Sequence, residues 1–208
     1  MGEPELHWKT GFSAKSLAYS WEESGGMPAE IKDALERSFG ATVEPLVVIP
    51  EYKVPMPGSS AGASQNDVFM LCRTDDGTAV VMIEGKVNES FDKTVGDWLG
   101  LTPSAGKRTR IEALCAMFGV HEQQCSGLRY QLFHRCASAI IEANRFCATY
   151  AVMLVHSFSQ EHRWFEDFEA FADAIGAVRG DGDIWTADLP SGPLHIGWIT
   201  GDPAFLGR

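Results

Sequence analysis

Nowhere in this 208-residue chain does an apolar run approach the length of a membrane span. Its first residues, Met-Gly-Glu-Pro-Glu, lack the basic start and apolar stretch of a secretory signal, so the cytosol is the expected compartment. No Cys-x-x-Cys pair occurs among the five cysteines, Cys72, Cys115, Cys125, Cys136 and Cys147. Their odd number and spacing argue for free thiols in a reducing compartment and against a zinc site. Positive charge is scarce: 17 Lys and Arg stand against 28 Asp and Glu, a formal net charge of −11. Proteins that hold nucleic acid without sequence preference usually present a basic face. Any such role here requires a local patch or a basic partner protein. Repeats and low-complexity segments are absent. The run Gly58-Ser59-Ser60-Ala61-Gly62 lacks the Lys-Ser/Thr ending of a phosphate-binding P-loop.

Apolar residues make up 45% of the chain and charged residues 22%, ordinary for a globular protein, and no composition shift divides residues 1–208 into two domains. A helix over 13–23, with Ser13 as its N-cap, is broken by Gly25-Gly26. Pro28 opens a second helix with Ile31, Leu35 and Phe39 inward and Gly40 as its stop. Residues 43–49 read as a strand and 50–66, with three prolines, as a loop. A hairpin over 67–86 follows, then an irregular stretch over 88–105. Helical patterns cover 107–118, 129–146 and 161–175, with strands at 150–158 and near 183–189 and 194–200. This order predicts an α/β domain with a mixed central sheet flanked by helices.

The hairpin carries the chemistry. Asp-Gly is a strong type I′ turn signal, so a two-residue turn at Asp76-Gly77 is expected, pairing Asp67 with Lys86 and Phe69 with Glu84. One face then holds Asp67, Phe69, Leu71, Val80, Met82, Glu84 and Lys86, and the other Val68, Met70, Cys72, Val81, Ile83 and Gly85. Both faces are largely apolar, which places the hairpin inside the sheet, covered on both sides. Two acids and a lysine at one end of such a hairpin have two readings. They form a rim ion-pair network, because buried charges must be paired. Alternatively, two carboxylates hold Mg²⁺ or Mn²⁺ while the lysine acts on a water or steadies transition-state charge.

Asn66-Asp67, sixteen intervening residues and Glu84-Gly85-Lys86 resemble the motif of the PD-(D/E)XK phosphodiesterase superfamily, which includes restriction endonucleases and DNA-repair nucleases. Asn66 stands where the motif's name has proline, a tolerant position. The predicted order over 28–158 is similar to the superfamily's αβββαβ core, with the first helix and the C-terminal helix and hairpin as additions. The likeness extends to a bacterial branch whose substrate is open. The resemblance implies that Asp67 and Glu84 bind Mg²⁺ or Mn²⁺, that Lys86 assists the attacking water, and that a polar residue from the second core helix joins them. Gln131 stands at the start of that helix, heading a polar stripe of Gln131, Arg135, Ser138, Glu142 and Arg145. Some members add an acid from the first core helix, where Glu30 and Glu36 are found.

Lys107, Arg108 and Arg110 are the main basic concentration; they read as a solvated helix start or else as phosphate contacts, and cations at a helix N-terminus oppose its dipole, which is an argument for an anionic partner. His134 and His156 read as core or rim histidines, and Trp21, Trp98, Trp164, Trp185 and Trp198 as core or interface aromatics. The expected function is a metal-dependent nuclease with nucleic acid as its partner, no membrane association, and a homodimer allowed. The alternatives are a nuclease-like binding or assembly module without catalysis, and a small-molecule phosphohydrolase.

Overall fold

The computed structural model describes residues 10–58, 62–180 and 182–208. A seven-stranded mixed sheet runs through it, flanked by helices on both faces. In chain order the elements are α1 (Ser13–Glu23), α2 (Ala29–Phe39), β1 (Glu44–Val54), β2 (Ser64–Thr74) and β3 (Gly77–Lys86), then the short α3 (Val95–Leu99), α4 (Ala105–Phe118) and α5 (Glu122–Cys125). They continue with α6 (Tyr130–Phe146), β4 (Tyr150–Ser157), α7 (Phe165–Ala174), β5 (Val178–Arg179), β6 (Ile184–Leu189), β7 (Gly192–Thr200) and a closing 3-10 turn (Pro203–Gly207). The strand order is β1-β2-β3-β4-β7-β6-β5. The first three strands form an antiparallel meander, β4 is parallel to β3 and to β7, and β6 and β5 return antiparallel. The expected helix–three strands–helix–strand order is therefore present over α2 to β4.

Two apolar layers sandwich the sheet. On one face, Phe69, Val80 and Met82 pack with Ile111 and Leu114 of α4, Leu132 and Phe133 of α6 and Phe171 of α7. On the other, Val68, Met70, Val81 and Ile83 pack with Leu17 and Trp21 of α1 and Ile31 and Leu35 of α2. This is the division of hairpin residues that period-2 alternation predicts.

Several details differ from expectation. The hairpin turns at Asp75-Asp76, with Thr74 paired to Gly77, and neither aspartate has a positive φ. Side-chain hydrogen bonds build this turn instead: the Thr74 hydroxyl donates to Asp76 at 2.9 Å, Tyr150 OH donates to the same carboxylate at 2.8 Å, and Asp75 accepts from Thr42 N at 3.3 Å. The register is two residues away from the expected one, so Phe69 lies opposite Met82. A two-residue shift leaves every side chain on its predicted face. The strand expected over 43–49 reaches Val54, and β2 begins at Ser64, so both ends of the expected 50–66 loop are strand. Pro45 and Pro50 are tolerated because β1 is an edge strand, with a register shift between Pro45 and Val47. Residues 59–61 of the glycine-serine run lie outside the described residues. Ser13 is inside α1 and does not cap it; its N–H is instead taken by the Glu89 carboxylate at 2.8 Å. No described helix is long and apolar enough to cross a membrane.

Candidate active site

The site forms where β2 begins and β3 ends, beside the first turns of α6. Glu84 and Lys86 sit two apart on β3, so both project toward α6, and both are buried at 3% exposure. The Lys86 ammonium donates to Glu84 Oε1 at 2.8 Å and to Gln131 Oε1 at 3.1 Å, while Gln131 Nε2 donates to Glu84 Oε1 at 2.7 Å. Gln131 thus bridges the two charged groups. The ring of Phe91 lies under the Lys86 ammonium, 4.9 Å from Nζ.

Arg135, one helical turn beyond Gln131, completes the cluster. Its Nε donates to Glu84 Oε2 at 2.5 Å and its Nη1 to the Ser64 hydroxyl at 3.2 Å. Ser64 in turn is 2.8 Å from His134 Nδ1. Burial opposes ionisation of Glu84, but Arg135 and Lys86 outweigh it and hold the carboxyl down to about 2. Burial and the neighbouring Arg135 push His134 down to about 3, so it is neutral at ordinary pH.

Asp67 behaves oppositely. The β2–β3 register, continued one pair beyond Val68 and Ile83, brings position 67 beside Glu84 and not beside Lys86 as expected. Asp67 Oδ2 accepts from Gly85 N at 2.7 Å, and among the described residues nothing donates to Oδ1. Burial and the charge of Glu84 raise its carboxyl to about 7, against the lowering influence of Arg135 and the Gly85 N–H. Gly85 matters for this approach: a Cβ there would meet Leu17 Cδ2 at 3.1 Å and Asp67 Oδ2 at 3.4 Å. At the same strand end, Glu89 accepts from Val87 N, Asn88 N and Ser13 N and ties α1 to the end of β3.

Asp67, Glu84, Lys86 and Gln131 are therefore brought together, from three elements. Glu30, Glu36 and the basic run Lys107, Arg108 and Arg110 are not, and His156 is a core histidine as expected. His156 pairs with Gly85 across β3 and β4, so its side chain lies on the opposite face of the sheet from Lys86. There it accepts from Trp21 Nε1 at 3.3 Å and bonds Glu30 at 3.0 Å. Glu36 holds Val43 N at 3.1 Å, away from the cluster. Of the basic run, Arg110 is buried at 8% exposure, bonded to Tyr130 OH at 3.3 Å and Gly62 O at 2.8 Å. Lys107 is engaged by the carbonyl of Trp98, and Arg108 pairs with Glu122 at 2.9 Å. Arg135 and Ser64 are members to which sequence reasoning assigns no role. A signal for Arg135 exists: it is the next residue, four on, in the stripe that begins at Gln131.

Among the described residues no group of three or more His, Cys, Asp or Glu side chains forms a metal cage. Mg²⁺ does not need one, since one or two carboxylates with waters and phosphate oxygens suffice. Glu84 receives three donors of the roughly four that a carboxylate accepts, and Asp67 receives one. Burial, and after it the charge of Glu84, raise the Asp67 carboxyl, and a divalent cation between the two acids would remove their mutual repulsion. The donor set fits such an ion.

A family model described as "Domain of unknown function (DUF6946)" matches residues 1–203, and the chain belongs to that family. No curated protein and no solved structure matches it.

Proposed function

We propose that the protein is a metal-dependent phosphodiester hydrolase of the PD-(D/E)XK type, acting on nucleic acid. The observation that carries this reading is the convergence of Asp67, Glu84, Lys86 and Gln131 at the end of one hairpin and the start of the α6 helix that follows it. Asp67 and Glu84 would hold Mg²⁺ or Mn²⁺, and the ion would supply Lewis-acid polarisation of a phosphodiester and a more acidic water. Asp67 must be ionised to do so, which ties its part to pH values near and above about 7. Lys86 has three N–H donors; Glu84 and Gln131 take two, leaving the third for a phosphate oxygen or the attacking water. Gln131 fixes the ammonium against Glu84, and Arg135 keeps Glu84 ionised.

The test is cleavage of DNA and RNA panels with Mg²⁺ or Mn²⁺, comparing wild type with Asp67→Ala and Lys86→Ala. Metal-dependent cleavage lost in both variants is expected. Equal activity in all three proteins, or none under any condition, would overturn the proposal. One observation favours a second reading: Arg135 and Lys86 already neutralise Glu84, as a nuclease-like module without catalysis would require. Calorimetric titration separates the two, because such a module would bind no Mn²⁺ through Asp67 and Glu84.

A further inference from the structure

A cleft of about 520 Å³ opens two strands away from Lys86 on the same sheet. The register runs Lys86–Ser157–Thr200 across β3, β4 and β7, and Thr200 is in the cleft wall. Neighbouring strands are about 4.8 Å apart, so Lys86 and the cleft are separated by roughly 10 Å. The first pair of β6 with β7 is Ile184 with Gly197, so Trp198 to Thr200 run on past β6 and leave the space open. Phe91, fully buried, packs between the two places. Its ring lies 4.9 Å from Lys86 Nζ and 6.2 Å from the ring of Trp198, which lines the cleft.

The walls have a definite chemistry. Trp185, Trp198 and Phe165 make an aromatic side, with the Arg179 guanidinium 5.8 Å from the ring of Trp185. Glu30 and Asp33 of α2, with Asp183 before β6, supply carboxylates opposite. Arg37 is taken up by Asp183 at 3.0 Å. Three carboxylates against two guanidiniums disfavour a bare anion. They suit a flat ring that carries N–H donors. Trp198 adds the complement: its indole Nε1 is buried with no acceptor among the described residues, a costly state that an acceptor atom on a seated ring relieves.

We infer that this cleft binds a nucleobase, and that it receives the base belonging to a nucleotide whose phosphate lies at Lys86. The second half rests on the phosphodiesterase reading; the first does not. A separation of roughly 10 Å, two strand spacings, matches the reach from a nucleotide's phosphate to its base. Aromatic walls stack any base, and the carboxylates favour guanine, adenine and cytosine, which carry amino groups, over uracil.

The test is isothermal titration of the full chain, without metal, with AMP, GMP, CMP, UMP and, as a base-free control, ribose 5-phosphate. Binding of at least one amino-bearing nucleotide at about 1 mM or tighter is expected, with ribose 5-phosphate much weaker. Trp198→Phe keeps the ring and removes the N–H. Asp33→Asn, at an exposed helix position, removes one carboxylate without disturbing the core. Each should weaken binding roughly two- to tenfold, the range of one hydrogen bond. No nucleotide binding, binding equal to that of ribose 5-phosphate, or binding unchanged in both variants would overturn the inference. Base binding that persists in a protein cleaving nothing with any metal leaves the cleft assigned and removes the phosphodiesterase. Metal-dependent cleavage without base binding does the reverse.

Discussion

Replacing Asp67 by asparagine should make the protein both inactive and more stable. The Asp67 carboxyl is raised from an ordinary 3.8 to about 7 in the folded chain, chiefly by burial and then by Glu84. A folded group that holds its proton more tightly than the unfolded chain favours folding least when that proton is lost. Its cost is therefore absent below about pH 4, grows as the unfolded chain ionises, and is complete above about pH 7. Full development of such a shift is worth about 4 kcal/mol at most, and less because Asp67 keeps part of its surface open. Asparagine retains the acceptor for Gly85 N and carries no charge. Urea unfolding at pH 5 and pH 8 should show a gain of roughly 1 kcal/mol at the lower pH and roughly 2–4 kcal/mol at the higher. In melting temperature the latter is on the order of 5–10 °C. Mn²⁺ supplies the converse. At pH 8, a free concentration about a hundredfold above Kd should stabilise wild type by about 3 kcal/mol and leave Asp67→Asn unmoved. A variant no more stable than wild type at pH 8, or one with a gain independent of pH, would refute the placement of Asp67 beside Glu84.

The remaining predictions concern the cluster and the thiols. Glu84→Gln should cost about 3–5 kcal/mol in urea unfolding, because it leaves Lys86 and Arg135 buried without their counter-charge. Wild type should accordingly lose stability as pH falls from about 4.5 toward 2, the window between the ordinary and the lowered value for Glu84. A thiol-reactive chromogen should titrate one cysteine in the native protein and all five in denaturant. Cys147 alone of the five is exposed, and burial pushes the Cys72 and Cys125 thiols up to about 12.

How far the sequence can be read depends on which properties are local. Alternation along a strand is local, so the face shared by Asp67, Glu84 and Lys86 is legible in the sequence alone. Pairing register is not local. An Asp-Asp turn, held by Thr74, Tyr150 and Thr42, replaces the expected Asp-Gly turn, and two of those three partners lie outside the hairpin. The shift exchanges Lys86 for Glu84 as the neighbour of Asp67, which changes the electrostatics from attraction to repulsion. The same limit explains β1: from Pro50 onward it reads as loop because nothing in a sequence marks an edge strand. It also explains Arg135. The polar stripe on α6 is visible at four-residue spacing, but whether such a stripe meets solvent or a buried carboxylate depends on the layer beneath it.

The charge of −11 constrains how a nucleic-acid enzyme of this kind can work. Polymer affinity built on phosphate neutralisation needs several free cations along one track. Here Arg110 is turned inward and Arg108 is committed to Glu122. Arg135 is committed to Glu84. If the proposed phosphodiesterase function holds, a centre whose nearby arginines are committed would draw its substrate affinity from elsewhere: from a divalent ion at the carboxylate pair, and from contacts to the base. The base site inferred beside Trp198 would supply the second. A protein working this way prefers short or single-stranded substrates whose bases are free. Its affinity should fall only gently with salt, with a slope of log K against log [salt] near that of one or two phosphate contacts.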